Sequence, residues 1–166
     1  ISDPWIEGPA FYEGWNLLSE TKFQYDEFSD ISHLWFSHEH PDHFVPGNLK
    51  KIPEKERKRI EVLYQKTLDK KVVNFCKKLS FPCKELDPNE SIQLANNFNI
   101  KCVPFDYDSW SLMEVGGVRI LNLNDCPIRK KHDLDELKKA VGDIDILLTQ
   151  FSYAGWIGNR TDKISH

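Results

Sequence analysis

The sequence predicts an α/β domain, and two observations lead to that prediction. Apolar runs of strand length alternate along the chain with amphipathic stretches of helical period. The chain has 166 residues, of which 40% are hydrophobic and 29% charged, so it holds enough apolar material for one sizeable core. We therefore expect a single domain across residues 1–166.

The first half of the chain alternates between strands and helices. Residues 3–5 are expected to be the end of a strand, and residues 31–37 form a buried strand that leads into a polar loop. After that loop we expect a short helical turn at residues 46–51, a strand at residues 60–64 and a helix at residues 69–79.

The second half is richer in strands. A pair of glycines between two apolar runs indicates a hairpin. Asp133, with Glu136 three positions on, is expected to cap a helix that runs through Ala140 and stops at Gly142. The predicted strands are residues 83–86, 92–94, 100–105, 109–115, 118–123 and 144–149.

Four aromatic residues, Trp5, Phe11, Tyr12 and Trp15, lie at and after the first strand end. Large rings in such a segment lie either in the core or in the wall of a pocket, and we expect the core.

Residues 38–43 read His-Glu-His-Pro-Asp-His and form the most informative segment of the chain. Divalent metals bind this mixture of neutral nitrogen and anionic oxygen. In an extended segment His38 and His40 point the same way, whereas the bend at the proline turns Asp42 and His43 elsewhere. We therefore predict two adjacent divalent ions, the first bound by the former pair and the second by the latter.

This H-x-H-x-D-H pattern resembles the signature of the metallo-β-lactamase superfamily. Residues 3–15 and 119–126 resemble the D-P-W-L-x-G-P-A-F-x-x-G-W and K-I-L-N-x-x-D-C segments of its CMP-N-acetylneuraminate hydroxylase-like branch, and residues 146–155 occupy the place of a further strand and turn. The resemblance implies an αββα sandwich with metals at the sheet edges. Because the chain starts almost at the first strand end, we expect either a fragment truncated at both ends or a trimmed sheet.

The resemblance also implies that Asp125 binds or bridges metal. This residue lies just beyond the predicted strand 118–123, as His38 lies just beyond another strand, so two strand ends would hold one site rigidly. Asp42 would also orient a catalytic water. The expected metal ligands are therefore His38, His40, Asp42, His43 and Asp125.

Two further histidines of the superfamily pattern have no clear counterpart here. Residues 101–110 contain no histidine, but Asp106 or Asp108 could replace one, which would favour iron or manganese over zinc. Towards the end of the chain only His132 and His166 remain. The first is expected to be exposed beside lysines, and the second is a terminal residue, which is a poor place for a ligand.

Charge and cysteine content limit the possible functions. A net charge of -4 argues against a general nucleic-acid binder, and no apolar run approaches the roughly 18 residues of a membrane span. The four cysteines form no C-x-x-C pair, so they build neither a zinc ribbon nor a Rieske cluster, and free thiols favour the cytoplasm. The resemblance implies a small, anionic substrate.

Three functions stay open. A hydrolase acting on a phosphoryl or acyl substrate ranks first, because it needs only water and a divalent metal such as zinc, iron or manganese. An iron-dependent oxygenase, implied by the hydroxylase resemblance, ranks second because it requires an external electron donor. A non-catalytic metal- or ligand-binding domain ranks third and is suggested by the missing histidines.

Overall fold

Two β-sheets organise residues 1–150, the part of the chain that the computed structural model describes. The strands, in chain order, are β1 (His33–Phe36), β2 (Glu61–Gln65), β3 (Cys83–Leu86), β4 (Ser91–Ala95), β5 (Phe98–Phe105), β6 (Asp108–Val115), β7 (Val118–Asn124) and β8 (Ile146–Thr149). The first sheet is parallel, in the order β1-β2-β3. The second has the order β4-β5-β6-β7-β8 and is antiparallel except for its last pair.

Helices lie between the strands. A 3-10 helix, Tyr25–Asp30, precedes β1, and the α-helices are α1 (Pro46–Lys51), α2 (Glu54–Arg57), α3 (Lys71–Lys78) and α4 (Lys131–Val141). No helix within residues 1–150 is long and apolar enough to cross a bilayer. The 3-10 helix and α2 are too short for a hydrophobic period to reveal them in the sequence.

Alternation of side chains along the strands produces four layers. On β1, Leu34 and Phe36 join a core that includes residues of α1 and α3, whereas Trp35 between them joins a core that both sheets share. On the far side of the second sheet, Trp110 of β6 packs in a third core with Leu137 of α4. The layers are thus helix, sheet, sheet and helix, which confirms the predicted αββα sandwich.

All predicted strands from residue 31 onwards are present, and their ends lie within two residues of the predicted ones. The predicted helices at residues 46–51 and 69–79 are also present, as α1 and α3. At the N-terminus, residues 3–5 lie in no named strand, although Ser2 forms a single parallel bridge with Trp35. Periodicity therefore located almost every strand, because each one buries at least one face.

The predicted start of α4 is wrong. The helix begins at Lys131, so Asp133 is its third residue and not its cap. The Asp133 carboxylate instead accepts a hydrogen bond of 3.4 Å from the backbone N–H of Lys130. The helix ends one residue later than predicted, before Gly142, whose φ of 63° lies in the left-handed region that glycine favours.

The expected burial of the early aromatic residues is wrong for three of them. Phe11, Tyr12 and Trp15 are exposed, and Trp5 is half-buried. Backbone hydrogen bonds of 2.9 and 3.1 Å between Ala10 and Trp15 close a tight loop that places these rings at the surface.

Candidate metal centre

The polar loop leaves β1 at Ser37, which is held from three directions. Its N–H and hydroxyl donate to the carboxylate of Asp3, at 2.8 and 2.9 Å. Its carbonyl oxygen accepts from Gln65 of β2 at 3.0 Å and from Ser109 of β6 at 2.7 Å. The start of the loop is therefore anchored to both sheets and to the N-terminal segment.

Two imidazoles form the first half of the site. His38 Nε2 and His40 Nδ1 lie 2.7 Å apart, with the two rings edge to face. His38 is buried and His40 is exposed. The two nitrogens are therefore within hydrogen-bond distance of each other, with one ring buried in the protein and the other exposed.

His43 is the centre of the second half. A turn in which its N–H donates to the carbonyl oxygen of His40, at 3.0 Å, brings it back beside His38. Its Nε2 lies 3.3 Å from carboxylate oxygens of both Asp42 and Asp125, and its Nδ1 lies 3.2 Å from Asp3. The loop and the end of β7 thus place three carboxylates around one imidazole.

The charges show what this arrangement lacks. Burial alone would lower the pKa of His43, but hydrogen bonds to Asp125, Asp3 and Asp42 raise this pKa to about 12. Burial alone would raise the pKa of Asp42, but the hydrogen bond to His43, the charge of that ring and a backbone hydrogen bond together lower this pKa. Three carboxylates around one protonated ring leave an excess of negative charge that a cation would neutralise.

The donor set fits a divalent metal. One ligand atom from each of His38, His43 and Asp125 lies within 4.8 Å of the others, so these residues form a group that can hold an ion. The Oδ1 atom of Asp42 is buried and has no hydrogen-bond partner within residues 1–150, which leaves one more anionic donor available. Imidazole and carboxylate donors without thiolates suit zinc, iron or manganese.

Asp108 lies behind His38 and not beside it. Its Oδ1 is 3.2 Å from His38 Nδ1, the nitrogen opposite the one that faces His40, and the carboxylate is buried. It therefore orients the His38 ring from the rear. Asp106, the other carboxylate considered as a histidine replacement, is exposed in the turn between β5 and β6 and borders the same cavity as His40.

Asp3 is the site residue that sequence reasoning missed. Its carboxylate accepts hydrogen bonds from Ser37 and from the side-chain amide of Asn124, and it lies against His43 Nδ1. The available signal was its position at the start of the segment that resembles the hydroxylase-like branch. A carboxylate on the far nitrogen of a metal-binding histidine fixes which nitrogen faces the metal.

The remaining residues considered in the sequence are Asp125, His132 and His166. Asp125 follows β7, and the side-chain amide of Gln150, just beyond β8, donates to its Oδ1. His132 is exposed on α4, as expected. His166 and the predicted turn at residues 151–155 lie outside the described residues.

Sequence comparison finds relatives over part of the chain, although no family model matches it. The CMP-N-acetylneuraminic acid hydroxylase of Xenopus laevis is 31% identical over 137 residues, which is 76% of this chain and 22% of that protein. The hydroxylase of Sus scrofa is 39% identical over 56 residues, or 33% of this chain and 13% of that protein. The chain therefore spans less than a quarter of the length of either relative.

Solved structures show the fold. CmlA, a diiron β-hydroxylase from Streptomyces venezuelae, matches with a TM-score of 0.59 at 18% identity, over 88% of this chain and 30% of that one. An isothiocyanate hydrolase from Delia radicum gut bacteria matches with a TM-score of 0.60 at 9% identity, over 84% and 60%. Zinc-bound PqqB from Methylobacterium extorquens matches with a TM-score of 0.54 at 15% identity, over 72% and 41%. The chain has the metallo-β-lactamase fold. The resemblance predicted from the sequence is thus confirmed, and this metallo-β-lactamase fold is shared with enzymes that differ in metal and in reaction.

Replacing Asp3 by Asn tests its role as an anchor. We expect Asp3→Asn to lower the free energy of unfolding by about 1–3 kcal/mol, because charge-assisted bonds to Ser37 and His43 are lost. Urea unfolding followed by circular dichroism, in the presence of a chelator, measures this. The exposed Asp143, changed to Asn, is the matched control, and equal effects of the two substitutions would contradict the assignment.

The raised pKa of His43 predicts a pH dependence in the metal-free protein. Its folded-state pKa of about 12 lies above the ordinary 6.5, so the stabilisation is complete below pH 6.5 and is lost as pH rises toward 12. The difference in unfolding free energy between wild type and His43→Gln should therefore shrink above pH 6.5, by at most about 1.4 kcal/mol per pH unit. Urea titrations between about pH 6 and pH 9 measure it. A difference that stays constant or grows would refute the ion cluster.

Proposed function

We propose that this chain carries a hydrolase centre with two divalent ions. The observation that supports it is that two donor groups adjoin: His38 Nε2 lies 2.7 Å from His40 Nδ1, and His43 Nε2 lies 3.3 Å from carboxylate oxygens of Asp42 and Asp125. One donor atom from each of His38, His43 and Asp125 lies within 4.8 Å of the others, which brings the two groups together. In this proposal His38 and His40 hold the first ion, and Asp42, His43 and Asp125 hold the second.

When bound, such ions lower the pKa of water toward neutrality and balance negative charge on a phosphoryl or acyl oxygen. The chain's own residues then have separate tasks. Asp42 offers its Oδ1, which has no hydrogen-bond partner among residues 1–150, to accept a hydrogen bond from the attacking water, while its Oδ2 stays against His43. Asp3 and Asp108 hold the two buried imidazoles from behind, so that each presents its Nε2 to the site. No serine or cysteine nucleophile is required.

A metal-dependent oxygenase is the second candidate. The sequence similarity to hydroxylases and the structural similarity to a diiron β-hydroxylase favour it. Carboxylates outnumber imidazoles around the second half of the site, and oxygen-rich ligand sets suit iron and manganese. This reaction would need electrons from an outside donor. Hydrolysis ranks first because water and a metal are sufficient for it.

Purification without added metal, followed by metal analysis, tests the proposal. Zinc or manganese, together with turnover of bis(4-nitrophenyl) phosphate or 4-nitrophenyl acetate that a chelator stops, would support the hydrolase. Iron with reductant-dependent oxygen consumption and no ester turnover would replace it with the oxygenase.

Two substitutions test the ligand assignment. His40→Ala and Asp42→Ala should each lower the metal content by about one ion per chain while the circular dichroism spectrum stays unchanged, since each removes one donor to a different ion. The exposed His132, changed to Ala, is the control. Full occupancy in both variants would defeat the assignment.

The role of Asp42 in catalysis predicts a separate effect on rate. Asp42→Asn keeps an oxygen donor but loses the charge, so we expect kcat to fall by about 100-fold or more. Rates are compared at measured metal occupancy, with Asp143→Asn as the control. A rate per bound metal equal to the wild type would show that Asp42 has no part in the chemistry.

A further inference from the structure

Exposed apolar side chains gather on three loops around His40. Phe11 and Trp15, which are 37% and 56% exposed, come from the loop closed by Ala10 and Trp15. Leu68 follows β2, Tyr107 lies in the turn between β5 and β6, and both are almost fully exposed. Exposure of apolar surface to water is unfavourable in free energy, and a cluster of exposed apolar side chains is typical of a binding site.

Two observations place these side chains near the His40 ring. Phe11 meets His40 edge to face with the ring centroids 6.1 Å apart, and Trp15 packs on Phe11 at 4.8 Å. Leu68 and Tyr107 line a cavity of about 550 Å³ that His40 also lines. This volume falls in the range of small-molecule pockets, about 300–1,000 Å³.

The loop that carries Phe11 is held in an unfavourable conformation. Phe11, Tyr12 and Glu13 have φ values of 50°, 53° and 68°, in the left-handed region that residues with a Cβ seldom adopt. Because the hydrogen bonds between Ala10 and Trp15 keep the loop closed, the rings are presented to the solvent and not folded inward. Strained backbone of this kind gathers at binding sites.

The charged residues around the cavity favour an uncharged group in the portion of the ligand that lies there. Glu39, Asp69 and Asp106 line it. Lys66, which also lines it, pairs with Asp87 at 2.8 Å, and Lys71 lies 3.6 Å from Glu39 and 2.9 Å from Asp69, so carboxylates still outnumber lysines around the cavity. A second anionic group on the ligand would therefore be repelled here. An anion would be accepted only at the metal centre.

We propose that Phe11, Trp15, Leu68 and Tyr107 form an apolar rim that binds an uncharged aromatic ring of the substrate next to its reacting group. The substrate class is an aryl-substituted phosphoryl or acyl compound with a single anionic group. The inference rests on the proposed function for the reacting group, but ring binding by the rim does not itself require a metal.

Phenylphosphonate and methylphosphonate test the rim, because they share the phosphonate group and differ in having a phenyl ring or a methyl group on phosphorus. Their affinities are measured on the zinc-loaded and on the metal-free protein, by calorimetry and by shifts of backbone amide resonances. We expect phenylphosphonate to bind at least about tenfold more tightly than methylphosphonate in both states. The reason is that the phenyl ring of the ligand stacks on exposed aromatic side chains, and this contact does not involve the zinc ion. Both affinities should fall when zinc is removed.

Variants on separate loops locate the effect. Trp15→Ala and Tyr107→Ala should each reduce the preference for phenylphosphonate by about fivefold or more and leave the methylphosphonate affinity unchanged. The matched control is Leu134→Ala, which removes an exposed apolar side chain from α4. Circular dichroism confirms that each variant is folded.

The outcomes separate the two proposals. Equal affinities for both phosphonates in both states would overturn the rim, even if zinc binding and hydrolysis stand. A ring preference that persists in a protein that neither retains metal nor hydrolyses esters would support the rim and remove the hydrolase. A preference that Trp15→Ala and Tyr107→Ala leave intact would place the ring elsewhere and overturn the rim.

Discussion

The carboxylate of Asp3 is the constraint on which the rest of the site depends. It receives hydrogen bonds from Ser37 where the polar loop leaves β1, from Asn124 at the end of β7, and lies against His43 within the loop. Three segments distant in the sequence are therefore joined by one ionised group. Because ionised acceptors form the stronger class of hydrogen bond, the loop is held in shape by interactions that are independent of any bound ion.

This arrangement leaves more carboxylates than cationic groups around His43. Asp3, Asp42 and Asp125 surround the single imidazole of His43, which the protein balances by holding a proton on that ring far above its ordinary pKa. A divalent cation bound at the same place would displace the proton and satisfy the carboxylates directly. The fold thus arranges these donors before any ion binds.

The packing of the two sheets explains how the side chains of this site are held close together. Ser37 carries both an inter-strand contact, from Gln65, and an inter-sheet contact, from Ser109. The two sheets also share a buried core around Trp35. Since close-packed cores resist small displacements, this shared core limits movement of the sheets relative to each other. The exposed loops around the site are free of that restriction and are where specificity can vary.

The sequence by itself determined the layered α/β architecture and predicted the metal donors. Apolar runs of strand length mark most of the strands that bury a face, and the spacing of His38, His40 and His43 around a proline is a local property of one loop. Only the tertiary structure decided which groups stand behind those donors. Asp3 and Asp108 lie 35 and 70 residues from His38 in the chain, and their contacts follow from how the sheets pack. The exposure of Phe11 was likewise decided by a backbone turn whose positive φ values the sequence does not reveal, since the loop carries no glycine at those positions.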